Sequence, residues 1–111
     1  MLTGIFRDGA EIAEIQNNRI VFRRELVKGE TTYCGGLQGF SNSAEDYNIK
    51  VENHKTGAGV RITCDRPLLK MVFWSCPTTL CPEPYIQIKV EPGQEFSWKI
   101  FYEFYTVEKQ D

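Results

Sequence analysis

Alternation of apolar and polar residues with a period of two is the feature that most constrains the fold of this chain. The alternation recurs in five segments, 19–27, 47–52, 60–64, 86–91 and 96–104. A period of two is typical of strands that bury one face. A sixth segment, 68–75, is apolar on both faces, which predicts a central strand covered on both sides. We therefore predict an all-β fold, an antiparallel β-sandwich that forms one domain over residues 1–111.

Turn-forming residues separate the predicted strands. Asn17 and Asn18 predict a tight hairpin, because asparagine tolerates a positive φ. Pro92 and Gly93 predict a type II turn, in which proline presets φ and glycine takes the positive-φ position. Segment 35–44, which contains three glycines, is expected to be less regular.

Composition and charge exclude several classes of protein. Apolar residues make up 41% of the chain and aromatic residues 13%, which is globular rather than disordered composition. The net charge is −2, which argues against a nucleic-acid partner. No run approaches the roughly 20 apolar residues of a membrane helix, so no membrane partner is expected. The charged N-terminus is unlike a signal peptide, which predicts a cytoplasmic protein as given, or an exported one if the chain is a domain of a longer protein.

Four cysteines, Cys34, Cys64, Cys76 and Cys81, raise the question of a metal or a disulfide. Only the last two are close, and the single histidine, His54, lies at no useful spacing from them. We therefore predict no metal and no cofactor, and interpret the cysteines as free, buried thiols. A disulfide between Cys76 and Cys81 remains the alternative.

The order of parts from Ala44 onward is more specific than any one motif. A polar strand (YNIKVEN) is followed by VRITCDRP, an apolar strand that ends in FWS, an acidic element (CPEPYI) and finally VEPGQEFSWKIFYEFY. This order resembles the C-terminal part of galactose mutarotase-like proteins, the aldose 1-epimerase superfamily. The matching pieces are Asp65-Arg66-Pro67, Cys81-Pro82-Glu83-Pro84, Pro92-Gly93-Gln94 and Tyr102-Glu103-Phe104. The resemblance implies half or a fragment of a β-supersandwich and a small-molecule sugar as ligand.

The resemblance also implies a role for Glu83, which aligns with the family's general base for the anomeric hydroxyl. The flanking prolines, Pro82 and Pro84, leave its backbone few conformations and so favour a well-aimed carboxylate. The family's acid histidine comes from the N-terminal part that this sequence does not match, and His54 takes no catalytic role. Whether the chain is an enzyme therefore stays open. The structural alternative is that Glu83 is an exposed turn carboxylate and that the prolines protect a strand end from edge pairing.

Three further residues are candidates for binding the sugar. Trp74 ends its strand near the acidic element, and aromatic faces suit the C–H faces of pyranoses. Tyr85 lies within that element, where it and Trp74 could exclude water around Glu83. Arg66 precedes Pro67 at a strand end, where binding loops tend to lie. Trp98, in contrast, alternates with other apolar residues and is expected to pack in the core.

The last predicted strand is apolar on both faces, since Phe101 and Tyr105 lie opposite its main apolar face. We expect these two side chains to be covered by a second sheet layer or by the other subunit of a homodimer. Two functions follow from the sequence: a sugar-binding or epimerase-like protein, and, alternatively, a non-catalytic interaction module of a larger glycan-handling protein.

Overall fold

Nine β-strands account for the regular structure in the computed structural model, which describes residues 1–109. The strands are β1 (Thr3–Asp8), β2 (Ala13–Gln16), β3 (Arg19–Phe22), β4 (Thr32–Gln38), β5 (Asn48–Asn53), β6 (Ala58–Cys64), β7 (Lys70–Cys76), β8 (Thr79–Tyr85) and β9 (Ile100–Thr106). One short 3-10 turn, Ala44–Asp46, is the only helical element in this part of the chain. Every strand pairing is antiparallel. The predicted all-β, antiparallel fold class is confirmed.

The described chain divides into two compact units. The first unit comprises residues 1–40 and 69–85, and the second comprises residues 41–68 and 86–109. The first unit contains a four-stranded sheet of order β1-β4-β7-β8 and the β2-β3 hairpin. The second contains a three-stranded sheet of order β5-β6-β9.

A small apolar cluster forms the core of the first unit. Cys34, Leu37 and Phe73 are buried at its centre. Six partly buried side chains pack against them: Leu2, Phe6, Ile15, Ile20, Phe22 and Met71. The rings of Phe22 and Phe73 meet edge to face, with centroids 6.1 Å apart, an arrangement that aromatic pairs prefer. Since Cys34 and Phe73 are register partners on β4 and β7, this cluster defines the core face of the sheet.

One buried polar pair lies beside this cluster. Thr32 and Ser75 are register partners on β4 and β7, and both are completely buried. Their hydroxyl oxygens are 2.6 Å apart, so each group satisfies the other. A buried hydroxyl without a partner would cost about 1–3 kcal/mol, which this pairing avoids.

The sheet of the second unit has a distinct division between its faces. Val60 pairs with Phe104 and Ile62 with Tyr102, which places an apolar row on one face. On the other face the Tyr105 ring crosses Gly59, where a Cβ would lie 2.6 Å from the ring. Glycine at position 59 therefore leaves the space in which Tyr105 reaches across the sheet.

The predicted tight turns are confirmed. Asn17 and Asn18 connect β2 and β3 with φ values of 50° and 65°. Gly93 has a φ of 81°, and the Gln94 N–H donates to the Glu91 carbonyl at 3.0 Å, as a type II turn requires.

The predicted central position of β7 is confirmed, because it lies between β4 and β8. The predicted cover on both faces is incomplete, since Phe73 and Ser75 are buried on one face but Val72 and Trp74 are only half-buried on the other.

Two predicted strands differ from the structure, one in its existence and one in its extent. Segment 86–91 is not a strand, and the last strand begins at Ile100 rather than Phe96. Alternation gives a segment the side-chain pattern of a strand, but a strand also needs a neighbouring backbone. The residues before β9 are held differently, since the Lys99 N–H donates to the Asp65 carboxylate at 3.0 Å.

The first alternating segment is also shorter as a strand than predicted. β3 ends at Phe22, and Arg24 donates to both carboxylate oxygens of Glu30 at 2.7 and 2.8 Å. This two-pronged ion pair lowers the Glu30 pKa to about 2, chiefly through the hydrogen bond from Arg24. The loop after β3 is thus closed by side chains rather than by strand pairing.

The aromatic residues near β9 are more exposed than expected. Trp98 is 42% exposed, so the prediction that it packs in the core is wrong. Phe101 is 54% exposed, contrary to the expectation that a second sheet layer covers it, whereas Tyr105 is half-buried. The main apolar row is exposed as well, since Tyr102 is 60% and Phe104 80% exposed. Alternation identified which residues share a face, but it does not say that the face is covered.

Candidate functional site

Three of the four predicted site residues lie on the β7-β8 hairpin. In its register Trp74 pairs with Cys81, Val72 with Glu83 and Lys70 with Tyr85. Directly paired residues of antiparallel strands share a face, and every second residue along a strand returns to it. Trp74, Glu83 and Tyr85 therefore lie on one face of the hairpin.

This surface, which we call the β7-β8 face, is the side of the sheet opposite the core cluster. It consists of Tyr33, Lys70, Val72, Trp74, Cys81, Glu83 and Tyr85. The alternate residues of β7, Phe73 and Ser75, are buried on the core side. The fold thus separates residues that stabilise the unit from residues that are available for a ligand.

Glu83 lies in an edge strand rather than in a turn, which corrects the turn interpretation. β8 is the last strand of the four-stranded sheet, and it contains Pro82 and Pro84. A proline has no N–H to give to a neighbouring strand, so strand prolines are found at edges. The prolines accordingly leave this edge without two donors and restrict the backbone on both sides of Glu83. The Glu83 side chain itself is exposed.

Tyr85 is paired with Lys70, a contact that the sequence did not predict. The Lys70 Nζ lies 4.4 Å from the centroid of the Tyr85 ring. An ammonium group over an aromatic face is attracted by the ring quadrupole. Lys70 thus orients the tyrosine ring and places a positive charge next to it on the β7-β8 face.

Tyr33 belongs to the same face, and sequence reasoning missed it. Tyr33 is the β4 partner of Trp74, and its ring lies along the strand over Gly35. A Cβ at Gly35 would lie 2.8 Å from the tyrosine hydroxyl oxygen, so the glycine makes room for the ring. The sequence does contain a signal for Tyr33, because it lies between two residues of the opposite face, Thr32 and Cys34, which are buried. The glycines that follow Cys34 hid this short strand pattern.

Arg66, the fourth predicted residue, belongs to the second unit. Its guanidinium donates to the Ser97 carbonyl at 2.9 Å and lies 4.5 Å from the centroid of the Phe96 ring. Both contacts tie the end of β6 to the segment before β9. These contacts give Arg66 a structural role within its own unit.

A second group of polar residues spans the sheet of the second unit. The Tyr105 hydroxyl donates to Glu52 at 2.7 Å, and the His54 ring contacts the other Glu52 oxygen at 3.2 Å. The bond to Glu52 raises the pKa of Tyr105 to about 12, and the same bond is the main reason that the Glu52 pKa is lowered. A tyrosine that retains its proton beside a carboxylate that remains charged is suited to cross-strand bonding rather than to proton transfer near neutral pH.

The four cysteines are free thiols in the structure. Cys34 and Cys64 are buried, as predicted, and burial raises the pKa of Cys34. Cys76 and Cys81 are only half-buried and are not directly paired across the hairpin. Hydrogen bonds with Thr78, and to a smaller extent with Thr79, lower the pKa of Cys76. Within residues 1–109 no group of three or more His, Cys, Asp or Glu side chains is arranged to hold a metal.

Comparisons with known proteins leave the β7-β8 face to be interpreted on its own geometry. No protein-family model, no curated protein and no solved structure matches the chain. Across the part of the chain that the structure describes, no helix has the length and apolar character needed to cross a bilayer.

Proposed function

We propose that this chain binds a carbohydrate on the β7-β8 face and that it is a β-sandwich related to the C-terminal part of galactose mutarotase-like proteins. The observation that supports the proposal is the placement of Trp74, Glu83 and Tyr85 on one face of a single hairpin. Two aromatic rings with a carboxylate between them combine surfaces for C–H packing with an acceptor for hydroxyl groups.

The spacing along β8 assigns a role to each residue. Cys81, the partner of Trp74, is two residues from Glu83 and four from Tyr85. At 3.2–3.4 Å per residue, Glu83 is about 7 Å and Tyr85 about 13 Å along the strand from the level of Trp74. A sugar ring packed on Trp74 therefore directs its hydroxyls toward Glu83, and Tyr85 supports the next part of the ligand.

Binding is better supported than anomer exchange. A mutarotase needs a general acid in addition to the base. The only histidine, His54, is engaged with the Glu52 carboxylate at 3.2 Å. We therefore propose sugar binding as the function and treat Glu83 as a hydroxyl acceptor whose catalytic role is a separate question.

Replacing Glu83 with glutamine tests the proposed acceptor. We expect Glu83→Gln to weaken sugar binding about tenfold, because hydrogen bonds to a charged group contribute about 1.5–3 kcal/mol and neutral ones about 1. The melting temperature should stay the same, since the side chain is exposed. Calorimetric titration with a panel of aldoses and short oligosaccharides measures the change. Glu95→Gln, which removes another exposed carboxylate, is the matched control.

Three outcomes of these titrations are informative. If no sugar in the panel binds the unaltered protein, the proposed function is rejected. If a sugar binds and Glu83→Gln binds it equally well, the β7-β8 face is not the site. Polarimetry with and without the protein tests catalysis separately, because an unchanged rate of mutarotation rejects the epimerase version and leaves binding intact.

The alternative function, a non-catalytic interaction module, has its own support. Tyr102 and Phe104 present large apolar side chains that the described chain leaves mostly exposed. Exposed aromatic groups of this kind mark association surfaces on soluble proteins.

A further inference from the structure

Within residues 1–109, strand β9 has one edge without a partner. In the order β5-β6-β9 it pairs only with β6. The Asp65 N–H donates to the Lys99 carbonyl at 3.2 Å, and the Val107 N–H donates to the Gly57 carbonyl at 2.9 Å. These bonds flank the strand and show that its odd-numbered residues direct their backbone groups toward β6. Alternation then directs the N–H and C=O groups of Ile100, Tyr102 and Phe104 away from β6.

The other outer strands of the two larger sheets carry features that discourage edge pairing. β8 contains two prolines, and the pairing of β1 with β4 is interrupted by two register shifts. β5, with the sequence NIKVEN, carries Lys50 and Glu52. Prolines, irregular pairing and charges are the usual protection of sheet edges. β9, with the sequence IFYEFYT, has no proline, no lysine and a regular seven-residue register, and Glu103 is its one charged residue.

The residues with free backbone groups also carry the exposed apolar side chains. Ile100, Tyr102 and Phe104 form one row on the face that they share with Val60 and Ile62. Tyr102 and Phe104 are 60% and 80% exposed, respectively. An edge with free hydrogen-bonding groups and an exposed apolar row is a surface for strand addition.

We propose that β9 pairs with β9 of a second copy of this chain, antiparallel and about a two-fold axis at Tyr102. The result is a six-stranded sheet in which the apolar rows of the two copies are continuous. Tyr102 then faces its own counterpart, and Ile100 of each copy faces Phe104 of the other. All three pairs use the backbone groups that point away from β6.

The negative charge of Glu103 favours the two-fold axis at Tyr102 over an axis one residue further along the strand, at Glu103. A two-fold axis at Glu103 would place two carboxylates directly opposite each other, which is destabilising. Both axes pair even-numbered residues with even-numbered residues, so the outward-directed backbone groups can bond in either register and the carboxylates decide between them. With the axis at Tyr102, Glu103 faces Phe101 of the second copy.

A second copy fits this edge because an antiparallel strand pair is self-complementary, as a two-fold interface requires. The buried area sets the expected strength. An aromatic side chain buries about 150–250 Å² when fully covered. Ile100, Tyr102 and Phe104 are 40%, 60% and 80% exposed. Two copies can therefore bury at most roughly 700 Å² through these side chains, which is below the about 1,200 Å² of stable interfaces and places the contact among the weak ones. We therefore expect a weak dimer, with a dissociation constant in the micromolar range.

Sedimentation equilibrium of the whole chain tests the dimer. The unaltered protein should change from monomer to dimer between about 1 and 100 µM. Tyr102→Lys places two ammonium groups against each other at the axis and should weaken association about 100-fold, because like charges across an interface cost several kcal/mol. Phe104→Glu should weaken it in the same direction. Phe101→Lys is the matched control, since it lies on the opposite face and next to Glu103 of the second copy, and it should leave the dimer intact.

Charge complementation tests the register. Tyr102→Lys and Tyr102→Glu should each be monomeric and folded by circular dichroism, and an equal mixture should form a heterodimer because the opposed charges then attract. A protein that stays monomeric at about 100 µM overturns the proposal. Assemblies larger than a dimer, undiminished association of Tyr102→Lys, or a mixture that stays monomeric also overturn it. The sugar titrations are a separate test, because the substitutions at Tyr102 leave Glu83 and Trp74 unchanged and the substitution at Glu83 leaves β9 unchanged.

Discussion

Phe73→Ala should lower the free energy of unfolding by about 3–5 kcal/mol, the range for a phenylalanine removed from a core. The Phe73 ring is 6% exposed and lies at the centre of the cluster with Cys34 and Leu37. It also meets the ring of Phe22 edge to face. Because the cluster of the first unit is small, few neighbours are available to fill the cavity. Urea unfolding followed by circular dichroism measures the loss.

Ile5→Ala is the matched control for this substitution. Ile5 is an apolar residue in β1 of the same sheet, but it is 78% exposed. We expect its replacement to change stability by about 0.5 kcal/mol or less, as for most surface positions. Equal losses for the two substitutions would contradict the assignment of the core to this side of the sheet.

Gly9→Ala should be the second most damaging change, with a loss of roughly 2–5 kcal/mol. Gly9 has a φ of 76°, which an alanine rarely adopts. An added Cβ would also lie 2.8 Å from the Thr31 carbonyl oxygen and 2.7 Å from the Thr32 Cγ2. The first contact is with backbone, and Thr32 is completely buried, so neither neighbour can move away easily. Thermal and urea unfolding measure the change.

Gly29→Ala separates the two causes of this loss. Gly29 has a φ of 89°, but no atom would lie within 4 Å of an added Cβ. Its replacement should therefore cost only the backbone strain, about 1–3 kcal/mol. If Gly9→Ala costs no more than Gly29→Ala, the close approach of Thr31 and Thr32 does not contribute to stability.

The strands with regular alternation and a partner of similar pattern were predictable from the sequence. The predicted segments 47–52, 60–64 and 68–75 correspond closely to β5, β6 and β7. The Asn17-Asn18 turn was predictable because its residues tolerate positive φ. In each case local chemistry and tertiary pairing favour the same structure.

The errors arise where pairing and local pattern disagree. Residues 86–91 alternate well but form no strand, whereas β8 contains two prolines and forms one at the sheet edge. β4 includes Gly35 and Gly36, which predicted irregular chain, and it accommodates them at a register shift in its pairing with β7. A single sequence records side-chain preferences, but it does not record which backbone lies alongside.

The candidate site was predictable as residue types and not as an arrangement. Trp74, Glu83 and Tyr85 were selected one by one, and their shared face depends on the register of β7 with β8. Tyr33 is brought to that face by β4, a strand that the sequence did not predict.

The indole N–H signals of the two tryptophans provide the most direct test of the proposed sugar site. The chain has one tryptophan on the β7-β8 face, Trp74, and one in the second unit, Trp98, which serves as an internal control. In a ¹H-¹⁵N correlation NMR titration with the tightest-binding sugar, we expect the Trp74 indole signal to shift and saturate while the Trp98 indole signal stays in place. A titration that moves Trp98 alone, or that moves neither signal while the sugar binds, would contradict the proposed site.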